Sequence, residues 1–233
     1  LAARHPAARE RFLALRNEAR RALDAAALTD SRQVWQAAQD WMILNEVVNE
    51  PNAPLAWFDQ VKDDPSVKPL LARLHHRLND MLKAEGRWAD LGELIDDPES
   101  SVRVRRRIFD MAREGVAPDQ TGLNDSMWRK DAAEIHAAVL AAGRREEARQ
   151  AAVAAMELDT DPKMLEAIVA AAQRAKAGDT MHREWLIKAI EGAEAANGEA
   201  TKLPPAAVER LQRIQRSVEA QLGPRTPADA GQP

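Results

Sequence analysis

Five histidines, three acidic-proline breaks and two arginine clusters are the residues of this chain that bear on chemistry. His76 and Asp80 stand four apart, the spacing that sets two side chains on one helix face and begins a metal site. Neither a second histidine nor a carboxylate pair follows at ligand spacing, so two solvated polar side chains is the stronger reading. His136 falls at an expected helix crossing and reads as a packed core histidine. The pairs Asp63/Asp64 and Asp96/Asp97 offer acid–base work or cation binding, but each stands directly before a proline. An Asp accepting from free N–H groups, with Pro as the first helical residue, marks a helix start. Asp159 and Asp161 lack the further ligands and the glycine of a calcium loop. A phosphate-cradling glycine loop, an HExxH pair, a nucleophile elbow and a dinucleotide fingerprint are all missing. The chain therefore reads as a non-enzyme, with no catalytic residue, cofactor or metal assigned.

The arginines form two groups. Arg4, Arg9, Arg11, Arg16, Arg20 and Arg21 mark the first helix, and Arg103, Arg105, Arg106 and Arg107 form the run RVRRR. Docking on an acidic partner, an anionic membrane or RNA is the functional reading. A solvated helix face is the stronger one, because Glu99 precedes Arg103 by four residues and Arg106 precedes Asp110 by four. The aromatic platform on which bases stack is absent near both clusters apart from Phe109. The net charge of −4 also argues against general nucleic-acid binding.

The elements that would carry these residues are helices throughout. The breaks VKDDPSV, LIDDPESSV and ELDTDPKML place Pro65, Pro98 and Pro162 at one and then two steps of a period in the low thirties. Such a period built only of helices is the mark of stacked helical hairpins. Leu71, Leu74, Leu78 and Leu82 form one face after Pro65, and Gly86, Gly143 and Gly178 are read as turns. Asp30 or Ser31 is expected to cap the second helix, whose stripe runs Val34, Ala38, Trp41, Leu44 or Asn45, and Val48. The tryptophans fall mostly at core spacing, with Trp35 off the Trp41 stripe. The expectation is an all-α chain of about ten or eleven helices forming one domain over 1–222. A sub-boundary is open to it at 115–126, NGEATKL reads as a loop, and 223–233 as a disordered tail.

The stretch from Ala132 to Pro162 resembles a tetratricopeptide repeat. Gly143 stands at its turn, Ala148 and Ala155 at small crossing positions, and Ile135 and Val139 beside them. Ala132 stands where that family places Trp, His136 where it places a small residue, and Ala152 where it places an aromatic. Degenerate copies surround Gly86, where Pro98 cuts the second helix short, and Gly178, which keeps the turn, Ile187 and the general periodicity. The resemblance implies a superhelix whose inner surface is lined by the first helix of each hairpin. Carried over, that surface holds Arg73, His76, Asp80 and Lys83, then Lys130, Ala133, Ala137 and Leu140, then Ile168 and Ala172. With His76 and Asp80 in place of the family's Lys and Asn, its clamp for C-terminal carboxylates is not supported.

The functional expectation is a non-enzymatic interaction scaffold that binds a peptide or helix on a concave helical surface, with self-association as a further possibility. The alternative is a helical-repeat RNA-binding protein that uses the arginine clusters. MAREGVAPDQTGLND resembles a pentatricopeptide junction in which Pro-Asp precedes a base-reading Asn124, although Gly143 follows it too late. The 233-residue chain has no cysteine and no long apolar run, so no membrane span is expected. It starts at Leu1, which suits a processed signal, a removed anchor or a trimmed end. Cytoplasmic and exported or periplasmic locations both stay open.

Overall fold

Helix starts in this chain are set by short-range chemistry that is visible residue by residue. In the computed structural model, which describes residues 6–25, 32–114, 121–195 and 204–222, Asp97 is an N-cap. Its carboxylate accepts from the Ser100 N–H at 2.9 Å, and Pro98 takes the first helical position. Asp161 does the same for the helix opened by Pro162, accepting from the Lys163 N–H at 2.9 Å. Asp64 differs. It accepts from the Ser66 N–H at 2.9 Å and the Ser66 hydroxyl at 2.8 Å, which makes a turn rather than a cap. The helix that follows begins at Lys68, where a second proline, Pro69, occupies the first turn.

All the described residues in regular structure are helical. In chain order they are α1 (Pro6–Ala25), α2 (Arg32–Val47), α3 (Ala53–Val61), α4 (Lys68–Ala84), α5 (Trp88–Glu93) and α6 (Pro98–Arg113). There follow α7 (Thr121–Ala141), α8 (Arg145–Leu158), α9 (Pro162–Arg174), α10 (Thr180–Ala195) and α11 (Pro205–Leu222). None of them is long and apolar enough to cross a membrane. Gly86 and Gly143 end α4 and α7 with φ of +68° and +79°, a left-handed conformation that costs glycine little. At the third expected turn the left-handed residue is Lys176, with φ of 54°, rather than Gly178.

The chain divides into two compact units, Leu1–Asp96 and Asp97–Pro233. In the first, α2 and α4 bury Trp41, Met42, Leu71, Leu74, Leu78 and Leu82, and α3 adds Trp57 and Phe58. Trp41 and Trp57 meet edge to face with centroids 6.0 Å apart. Arg87 sits 5.2 Å over the Phe58 ring and also binds Asp59 and Asp90, while Lys62 reaches Asp90 at 2.9 Å. Those cations hold Asp90 below the usual carboxylate range against the opposing effect of its burial. Asn45 is buried and donates to the Trp41 carbonyl at 2.8 Å, so its burial leaves that donor satisfied.

The second unit centres on α7, which packs against α6, α8 and α9. Alanine makes that possible: Ala132, Ala133, Ala137 and Ala138 of α7, Ala148, Ala151, Ala152 and Ala155 of α8, and Ala171 and Ala172 of α9 are all buried. A second cluster joins Leu165 and Val169 of α9, Leu186 and Ile190 of α10, and Leu211 and Val218 of α11. Arg129 of α7 binds Asp159 at 2.7 Å and Asp161 at 3.0 Å, so the two carboxylates weighed as cation ligands hold a guanidinium. The region 115–120, part of the expected sub-boundary, lies outside the described residues, as do Asp30, Ser31, the NGEATKL loop and 223–233.

Candidate functional site

Of the residues expected to line an inner surface, Arg73, His76, Asp80 and Lys130 are exposed, and Lys83 and Leu140 are partly so. Ala133, Ala137, Ile168 and Ala172 are each 0% exposed, and side chains so placed pack helices rather than meet a partner. On α4, Arg73 covers the Trp35 ring at 5.3 Å and His76 Nε2 meets Gln39 at 3.0 Å. His76 is thus tied to α2, and Asp80 pairs with Lys83 at 3.1 Å. Those contacts tie Arg73 and His76 to α2 and Asp80 to its own helix.

The first unit carries an open groove of ≈ 580 Å³ between α1 and α2. Leu15, Ala19 and Ala22 form its α1 wall, and Ala37, Ile43 and Leu44 its α2 wall, with Gln36 beside them. The helices run antiparallel, since Arg16 binds Glu50 and Arg20 lies 5.0 Å over Trp41. Two charged side chains line the groove, Glu18 on the α1 side and Asp40 on the α2 side. Both are exposed, and neither has an ion-pair partner among the described residues. The stripe of α2 reads as Val34, Ala38, Trp41, Leu44 or Asn45, and Val48, and the structure buries Asn45 while Leu44 is half-buried. The groove was missed because it uses the neighbouring arc of the same helix, where Ala37 and Leu44 stand seven apart.

A smaller groove of ≈ 250 Å³ lies between α6 and α8, lined by Glu99, Arg103, Glu146, Arg149 and Glu157 among others. Its charges satisfy one another: Arg103 binds Glu99 at 2.9 Å and Glu157 at 3.5 Å, and Arg149 binds Glu146 at 3.6 Å. The rest of the RVRRR run is largely engaged as well, Arg105 with Asp131 at 3.5 Å and Arg106 with Asp110 at 2.9 Å. The side chain of Asn124, the expected base reader, lies outside the described residues.

The second unit holds one polar cluster that sequence reading saw only in part. His136 of α7 is buried as expected, and its partner is His182 of α10, also buried. Their Nε2 atoms are 2.8 Å apart. The tautomers follow from the outer atoms of the pair. His182 Nδ1 accepts from the Asp179 N–H at 3.2 Å, so its proton lies on Nε2 and points to His136. His136 Nε2 accepts it, and His136 Nδ1–H donates to the Ala148 carbonyl at 2.8 Å. Both rings are neutral in this chain of three bonds. Burial lowers the pKa of His136, and burial with the neighbouring His136 lowers that of His182 to about 3. Asp179 is partly buried, yet Arg145 at 2.8 Å and the Met181 N–H keep it below the usual carboxylate range. With all four ring nitrogens engaged within the protein, the pair is a structural brace.

Compared with known proteins, the chain matches no family model, no curated protein and no solved structure.

Proposed function

We propose that this protein is a non-enzymatic interaction scaffold, an array of stacked helical hairpins that binds a peptide or helix of another protein. The open, largely apolar groove between α1 and α2 carries the reading. Half-exposed Leu15 beside small side chains gives a surface where a partner can bury apolar area at roughly 25 cal/mol per Å². The hairpin-array part of the reading draws support from α6 to α9, where each helix packs on the next and on the next but one. The site expected on first-helix inner faces moves in this reading from α7 and α9, whose inner alanines are buried, to the α1–α2 hairpin.

The RNA-binding alternative draws less support, because Arg103, Arg105 and Arg106 are engaged with carboxylates of the chain itself. The experiment is affinity capture from nuclease-treated extract with the full chain and with Ala19→Arg, which fills the groove with a bulky cation. The reading expects a defined protein that survives nuclease and is lost with Ala19→Arg. Recovery that collapses with nuclease, or that ignores the substitution, contradicts it.

A further inference from the structure

Glu18 and Asp40 give the α1–α2 groove a sign. Along this hairpin Arg16 pairs with Glu50, and Arg20 with Asp24 at 2.8 Å. The two groove carboxylates stand one on each wall, exposed beside apolar side chains and without an ion pair among the described residues. An apolar occupant without charge would strip water from both carboxylates and return nothing, which is costly. Phosphate-bearing partners, whether nucleic acid or an anionic membrane, would be repelled by them. A cationic flank on the occupant resolves both problems.

The shape of the walls says what that occupant is. Leu15, Ala19 and Ala22 stand at i, i+4 and i+7 on α1, and Ala37 and Leu44 at i and i+7 on α2. Two helical rows about 10 Å long, with alanines where a backbone must come close, form the cradle for a third helix. A second copy of this chain fits poorly, because two like grooves present the same carboxylates to each other. Arg11 and Arg32 stand one turn beyond the groove residues Leu15 and Gln36, so the occupant's cations belong near its middle.

We propose that the α1–α2 groove receives a basic amphipathic helix of another protein, its apolar side seated on Leu15, Ala19, Ala22, Ala37 and Leu44 and its lysines or arginines reaching Glu18 and Asp40. This rests on the scaffold reading above and names the chemistry of the partner. The test is selection of a displayed library of amphipathic helices, about five turns long, against the full chain. Leu is fixed along one side, and the flanking positions are mixed equally among Lys, Glu and Gln. Enriched helices should carry Lys at the flanks and lose binding to Ala19→Arg and to Ala37→Arg, two blocking variants whose helicity is checked by circular dichroism. The double variant Glu18→Gln/Asp40→Asn should weaken the Lys-flanked helices roughly tenfold at low salt, and less at high salt. Helices that depend on Ala19 but prefer Glu, or show no charge preference, overturn the basic partner and leave the groove standing as a binding surface. If no enriched helix depends on Ala19 or Ala37, the groove reading falls with it.

Discussion

The His136–His182 pair sets a specific pH dependence. Both rings are neutral when folded and both pKa values lie below the ordinary histidine value, that of His182 at about 3. The unfolded chain therefore takes up protons first as pH falls through about 6.5. The stability due to this pair is complete above that pH and is lost as the pH drops below it toward the folded values. Each histidine contributes a slope of up to about 1.4 kcal/mol per pH unit in that window. Urea titrations between neutrality and pH 5, above the carboxylate range, should show a slope that His182→Gln roughly halves; a flat profile in the parent chain contradicts the assignment. A second comparison separates true caps from turns. Asp97→Ala should cost about 1 kcal/mol in the same titrations, because the Ser100 N–H loses its acceptor. Asp64→Ala should cost clearly less, since α4 begins only at Lys68.

Among the elements, local chemistry was legible and pairing between distant segments was not. The positions of α6 and α9 were written in Asp97-Pro98 and Asp161-Pro162, and the turns in Gly86 and Gly143. The start of α4 was misread because Asp64-Pro65 carries the same signal, while Pro69 and the Ser66 contacts decide the outcome. His136 could be placed in a core from its helical register. That His182 faces it depends on how α10 returns to α7, which no periodicity records. The same limit applies to the arginines: the i, i+4 pairs Glu99–Arg103 and Arg106–Asp110 were readable, whereas Arg105–Asp131 needed the fold. The small residues at the α7–α8 crossing were readable as well, and they yield a prediction at this scale. Ala148→Leu forces extra methylenes into a fully buried contact and should destabilise the chain by about 1–3 kcal/mol. Leu at exposed Gln150, on the same helix, should stay within about 0.5 kcal/mol in thermal melts.

At the level of the whole molecule, two compact units each carry their own core, and the first carries an open, largely apolar groove on its α1–α2 hairpin. Composition and repeat spacing led to an all-helical chain, and the described residues in regular structure are all helical. The tetratricopeptide resemblance implied a surface on α4, α7 and α9, and the fold spends Ala133, Ala137, Ile168 and Ala172 of it on packing, since an alanine-rich face serves a neighbouring helix as well as it would a partner. The measurement that bears most directly on the account is hydrogen exchange of the full chain with and without a saturating Lys-flanked amphipathic helix. Binding in the groove should slow exchange within α1 and α2, at residues 6–25 and 32–47, and leave α7 to α9 unchanged. Protection centred on α7 and α9, or none despite saturation, would contradict the claim that the α1–α2 groove is where this protein meets its partner.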